Sequence, residues 1–181
     1  MHFSSSPDGS INLSQRRTFN ATLLTLVVAI VAFALDQYSK SLVVKHFFFD
    51  GRCVPVCGHR DVIPGWLEIA PIPNVHGAFG MFGSNTFLLI VMACIVLVVF
   101  WLSFREAAMR SRLVCVAFGM IVGGAIGNIV DRFHYGYVVD FVDFYRFPAI
   151  WRFTFNVADS CITAGVVLLL LSSLVTSRRR A

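Results

Sequence analysis

Four long runs of almost uninterrupted apolar residues dominate the chain: Phe19 to Leu35, Thr86 to Phe104, Leu113 to Val130 and Val157 to Thr176. Each has about the length a helix needs to cross a hydrocarbon core roughly 30 Å thick. An isolated strand would leave its backbone groups unpaired in lipid, and the runs lack the in-out alternation of barrel strands. The pattern therefore predicts an all-α membrane protein with four transmembrane helices. Residues 1–15 are polar and read as a flexible tail, and two long loops, 36–85 and 131–156, share one side of the membrane. No repeat or second unit interrupts the pattern, so residues 1–181 read as a single integral membrane domain.

The first long loop has structure of its own. It opens with a continuation of the first helix and then presents Phe47, Phe48 and Phe49, an aromatic anchor suited to the interface. From Val62 to Phe82 it is punctuated by Pro64, Pro71, Pro73, Gly77, Gly80 and Gly83, which disfavours a helix. Short strands or turns follow instead, as a small extended cradle lying on the membrane. Gly119, Gly123 and Gly127, four apart in the third helix, predict a close packing face.

Composition narrows the class. With 57% hydrophobic residues, 14% charged residues and a mean hydropathy of +0.74, the chain is not an ordinary water-soluble domain. Arg16 and Arg17 before the first run resemble the start of a signal peptide, but DQYSK follows in place of a small-residue cleavage site, so the run is kept as a helix. One side of the membrane carries eight arginines against two acids, Asp8 and Glu106; the other carries seven Lys or Arg against eight acids. The positive-inside rule then puts both termini and the short second connection in the cytoplasm and the two long loops outside. The net charge of +5 reflects this topology, and no nucleic-acid partner is implied. Cys94, Cys115 and Cys161 lie in helices as small packing residues, while Cys53 and Cys57 in the outer loop suit a disulfide or free thiols. His46 and His59 do not complete a zinc pattern with them, so no metal site is expected.

The candidate chemistry lies in acids that apolar surroundings make costly. Asp36, Asp131, Asp140, Asp143 and Asp159 all fall at the outer helix ends or between them. Asp36 and Lys40 are spaced for an ion pair on a continuing helix. Arg132, near Asn128 and Asp131, suits a carboxylate or a lipid phosphate. VVDFVDF, residues 138–144, sets two acids among apolar groups that would raise a carboxyl pKa, unless it is an ordinary loop whose acids face water. Asp159 stands in the first turn of the last helix, where Asn156 and Asp159 also fit a capping box. Two carboxylates brought together would share a proton, one accepting from water and the other donating to a scissile carbonyl, with neither metal nor cofactor. Nothing in the spacing alone separates Asp140 from Asp131 or Asp143.

Five blocks in order, DQYSK at 36–40, NVHGAF at 74–79, GGAIGNIVDR at 123–132, VVDF at 138–141 and FNVAD at 155–159, together resemble the lipoprotein signal peptidase family, signal peptidase II. The resemblance implies a bacterial inner-membrane aspartic endopeptidase, with its active site toward the outer face, that removes the signal peptide of diacylglyceryl-modified prolipoproteins before the lipidated cysteine. It implies Asp140 and Asp159 as the catalytic pair. Asp36, Lys40, Asn74, Asn128, Arg132 and Asn156 are then residues that shape the site or contact substrate, with membrane phospholipid as a further partner. One block departs from the family: N-x-G is usual, whereas Asn74-Val75-His76 moves the glycine to Gly77. Histidine adopts positive φ less freely than glycine, so either the cradle turn differs or His76 has a local role in binding. Two other classes remain, a non-catalytic binder of lipidated peptides and a small ion- or proton-conducting membrane protein.

Overall fold

The computed structural model describes residues 13–47, 58–75, 85–108, 111–147 and 151–178. The expectations for Phe48, Phe49, Cys53, Cys57, His76, Gly77, Gly80 and Gly83 lie outside the described residues. Among those described are four helices, α1 (Leu13–Phe47), α2 (Thr86–Ala108), α3 (Arg112–Tyr135) and α4 (Val157–Arg178), each long and apolar enough to cross a membrane. Four strands, β1 (Arg60–Ile63), β2 (Leu67–Asn74), β3 (Val138–Phe147) and β4 (Trp151–Phe155), pair antiparallel in the order β1-β2-β3-β4. The protein is thus a multi-pass membrane protein with a small sheet at one end of its bundle.

Helix α1 starts earlier than the hydropathy span and continues beyond it, as the opening of the first long loop leads one to expect. It begins at Leu13, inside the stretch assigned to the tail, and runs past Leu35 to Phe47. At 1.5 Å per residue it is about 50 Å long, well beyond the hydrocarbon thickness. What continues it is a single buried stripe, Ala29, Ala32, Asp36, Lys40 and Val43, at helical spacing. The apolar signal stops at Leu35, but the buried face does not. The other spans are extended more modestly, to Ala108, Tyr135 and Arg178.

The core of the bundle is α3, which packs against α1 on one side and α4 on the other. Its glycines make this possible. A side chain at Gly119 would strike the Thr25 carbonyl and Val28, one at Gly123 would strike the Ala29 carbonyl and Ala32, and one at Gly124 would strike the Ala158 carbonyl. Helix α2 leans mainly on α3, through Phe100 and Trp101 against Phe118, with ring centroids 6.1 and 5.6 Å apart. Away from the sheet, Val114, Ala117, Ile121 and Leu169 close an apolar core.

The second long stretch read as a loop, 131–156, is not one. Helix α3 runs on to Tyr135, where Gly136 at φ +79° ends it by donating its N–H to the Arg132 carbonyl. Strand β3 starts two residues later, and β4 ends one residue before the Asn156 cap of α4. The sheet is therefore tied to the bundle through α3 and α4. In the β1–β2 hairpin, Pro64 and Gly65, with Gly65 at φ +78° and the Trp66 N–H on the Ile63 carbonyl, supply what a type II turn requires. Strand β2 crosses to β3, pairing Ile72 with Asp140 and Asn74 with Val138.

Candidate active site

At the sheet end of the bundle, α1, α3, α4 and the first half of β3 converge on one polar cluster. Asp36, Lys40, Asp131, Asp140 and Asn156 in it are almost fully buried. Asp36 and Lys40 come from the extended stripe of α1, Asn128, Asp131 and Arg132 from the last two turns of α3, Asn74 from the end of β2, and Asp159 from the first turn of α4.

Each carboxylate oxygen of Asp140 and Asp159 accepts a hydrogen bond. Asn156 Nδ2 donates to Asp140 Oδ1 at 2.8 Å and Asn74 Nδ2 to Asp140 Oδ2 at 2.9 Å. Asn128 Nδ2 donates to Asp159 Oδ1 at 2.9 Å and the Asn156 N–H to Asp159 Oδ2 at 3.3 Å. The last bond is half of the expected capping box: Asp159 N–H donates in return to Asn156 Oδ1 at 2.9 Å. Capping and site assembly use the same atoms. Asn156 holds Asp159 with its oxygen and backbone and Asp140 with its amide nitrogen, so it joins the two acids.

The amide orientations follow from their neighbours. Lys40 only donates, so the Asn128 oxygen faces its ammonium at 3.0 Å and the Asn128 NH2 must face Asp159. Likewise the Asp159 N–H takes the Asn156 oxygen and turns the Asn156 NH2 toward Asp140.

Burial pushes the Asp140 carboxyl up to about 7, and the negative charge of Asp159 adds to the rise. The amides of Asn74 and Asn156 and the Lys40 charge oppose it without cancelling it. A carboxyl that holds its proton near neutrality beside a second acid is able to act as a general acid.

Asp143, which sequence spacing could not separate from Asp140, lies elsewhere. It is buried in register with Glu68 and Thr154, three residues or about 10 Å further along β3. The Asp36–Lys40 pair expected on a continuing helix is present at 2.7 Å, within α1. Arg132 donates to the Asn128 carbonyl at 3.3 Å, and its buried Nε has no hydrogen-bond partner among the described residues. Its charge interacts with those of Asp159, Asp140 and Asp131.

Two further members complete the cluster: Asp131, one of the five candidate acids, and Gln37, which the sequence does not mark. Asp131 accepts Lys40 at 2.8 Å and the Val139 N–H at 3.1 Å. Gln37 spans Asp36 and Asp131, with its amide nitrogen 3.2 and 2.9 Å from their oxygens. Sequence spacing ranks Asp131 with Asp140 and Asp143, and its contacts with Lys40 and the Val139 N–H give it a supporting place instead. Gln37 carried no signal beyond its place one residue from Asp36. Among the described residues, no group of three His, Cys, Asp or Glu is arranged to hold a metal ion.

The family model described as signal peptidase (SPase) II matches residues 28–175. A lipoprotein signal peptidase of Symbiobacterium thermophilum is 34% identical over 87% of this chain and 98% of its own. One from Caldanaerobacter subterraneus is 40% identical over 80% of this chain and 90% of its own. A solved bacterial membrane enzyme, determined by the in meso method, superposes with a TM-score of 0.71 at 26% identity, covering 87% of this chain and 91% of that one.

Proposed function

The chain belongs to the signal peptidase II family, and from that membership we propose that Asp140 and Asp159 are the catalytic pair with which it removes signal peptides from prolipoproteins. The protein is a membrane protease. The observation that carries the assignment of the pair is the Asn156 bridge, which ties the buried Asp140 carboxyl and the half-buried Asp159 carboxyl, from different elements, into one unit whose charges repel.

Near neutral pH the pair holds one proton between its two carboxyls. The ionised member takes a proton from water as the water oxygen attacks the scissile carbonyl carbon. The protonated member gives its proton to the carbonyl oxygen, forming a neutral tetrahedral intermediate. In the collapse the ionised carboxylate takes a proton from one hydroxyl as the carbonyl re-forms and the C–N bond breaks, and the leaving nitrogen takes up the proton of the other carboxyl. Asn74, Asn128 and Asn156 hold the four carboxylate oxygens in place, so little reorganisation is left for the reaction itself. The Arg132 guanidinium, with one buried N–H uncommitted among the described residues, serves an oxygen of the substrate backbone or of its lipid headgroup.

The scissile bond precedes a cysteine already carrying diacylglycerol. A site at the level where α1, α3 and α4 emerge from the bilayer suits such a substrate, because acyl chains stay among lipid while the peptide reaches the acids. Membrane phospholipid lines the same approach. The enzyme lies in the bacterial inner membrane, termini in the cytoplasm and site outward. An ion-conducting role finds no support: among the described residues the buried charged side chains all belong to the outer ends of helices or to β3, and no polar path continues toward Val114 and Leu169.

Asp140→Asn and Asp159→Asn should each abolish cleavage of a lipidated precursor by the purified enzyme while leaving its thermal transition in micelles in place. Wild-type turnover by either variant would remove that residue from the catalytic pair. A folded wild-type protein that bound the precursor without cutting it would favour a binding role instead.

A further inference from the structure

Two backbone N–H groups in the site fall outside regular hydrogen bonding, and both are captured by buried carboxylates. Ala158, in the first turn of α4, has no carbonyl four residues back within the helix, and its N–H donates to Asp36 Oδ1 at 2.9 Å. Val139 lies before the first β4 pairing at Val142, and its N–H donates to Asp131 Oδ2 at 3.1 Å. Ala158 immediately precedes Asp159. Val139 immediately precedes Asp140.

The two capturing carboxylates are tied to each other. Lys40 Nζ lies 2.7 Å from Asp36 Oδ2 and 2.8 Å from Asp131 Oδ2, and its third donor goes to Asn128 Oδ1 at 3.0 Å. The ammonium has no donor to spare. Gln37 spans the same two carboxylates a second time. Lys40 is only 3% exposed, Asp36 0% and Asp131 1%. Buried ionic groups of this kind add little net stability over well-packed apolar side chains, so stability is a poor account of their presence.

We propose that Lys40 is a positioning residue that sets the spacing of the catalytic pair through the backbone. It clamps Asp36 to Asp131, and each of these fixes the main chain one residue ahead of a catalytic aspartate. Strand β3 and helix α4 are thereby held at one separation by a group that touches neither substrate nor reacting atoms. Asn128, the third acceptor, carries the same constraint to the Asp159 side chain. The inference rests on Asp140 and Asp159 being the catalytic pair.

The test uses the full-length enzyme in micelles with a lipidated precursor, reading kcat, KM and thermal unfolding. Lys40→Met should lower kcat about a hundredfold with KM near the wild-type value, because small misplacements of reacting groups cost that much. The triple variant Lys40→Met/Asp36→Asn/Asp131→Asn removes all three charges but keeps an oxygen acceptor for each backbone N–H. It should regain most of the lost kcat. A folded triple variant no more active than Lys40→Met would overturn the proposal, since the Lys40 charge would then act on the reaction itself. So would a Lys40→Met enzyme of unchanged kcat. If Lys40→Met does not fold, the triple variant carries the test alone: activity within about tenfold of wild type supports the clamp, and inactivity or failure to fold counts against it. Asp140→Asn, assayed alongside, reads the catalytic pair separately, because cleavage by that variant would overturn the pair itself and not merely its positioning.

Discussion

At the scale of single residues, the site is a set of directed donors around two acids. Burial and the Asp159 charge favour the neutral form of Asp140, the Asn74 amide favours the ionised form, and the first two prevail because the carboxyl stands near 7 rather than in the ordinary carboxylate range. The sign of the next change follows. Removing the Asn74 donor withdraws support from the carboxylate, so Asp140 should hold its proton to still higher pH. Activity that needs this proton falls as pH rises through the Asp140 pKa, so the basic limb of the kcat profile begins near 7 in the wild type. In Asn74→Ala it should move upward by about one pH unit, the worth of a hydrogen bond to a charged group. The maximal rate should fall as well, because Asp140 Oδ2 loses the contact that orients it. Measuring kcat against pH for the two enzymes checks this; a limb that stayed in place or moved down would contradict it.

At the scale of elements, close helix approach is what places these residues. Asp36 reaches Ala158 only because Gly127 leaves room beside it, since a methyl there would fall on the Asp36 carboxylate. One turn further into the membrane, Gly123 lets the α1 backbone come as near. Gly123→Val should lower thermal stability in micelles by about 1–3 kcal/mol, the usual cost of overpacking, whereas Ile126→Val on the exposed face of α3 should change it little. Equal melting of the two variants would show that α1 and α3 do not need this contact. The helices were legible in the sequence because hydropathy accumulates locally along a run. Their exact ends were not: the spacing of Asp36 and Lys40 signals that the first helix continues, but polar residues on a buried face do not mark where it stops. Strand β3 was missed for another reason, and β4, which pairs only with it, was missed along with it: Val138 to Phe141 are buried on both faces, so no in-out alternation marks β3, and its register with β2 joins residues some seventy positions apart. The separation of Asp140 from Asp143 likewise depends on how β3 meets the bundle. Sequence alone chose between them only through the resemblance of the VVDF block.

At the scale of the whole molecule, polar burial and surface charge are distributed in opposite senses. The buried charged groups gather at the sheet end, where the flanking segments are close to neutral overall. The opposite end closes on Val114, Ala117, Ile121 and Leu169, and in sequence it is flanked by arginines near the start of α1, between the second and third apolar runs and after the fourth. Arginine excess resists translocation, so this end should remain in the cytoplasm and the sheet should cross. A fluorescent protein fused after Ala181 should fold and fluoresce. Alkaline phosphatase fused after Gly58 should be active, and fused after Ser111 inactive, because that enzyme matures only beyond the membrane. Reversed activities would place Asp140 and Asp159 on the cytoplasmic side, and the acids would then have to meet their substrates before export. The predicted pattern instead lets a precursor threaded through the bilayer present its cleavage site at the level where α4 begins, with Asn156 capping that helix and holding both acids in the same set of hydrogen bonds.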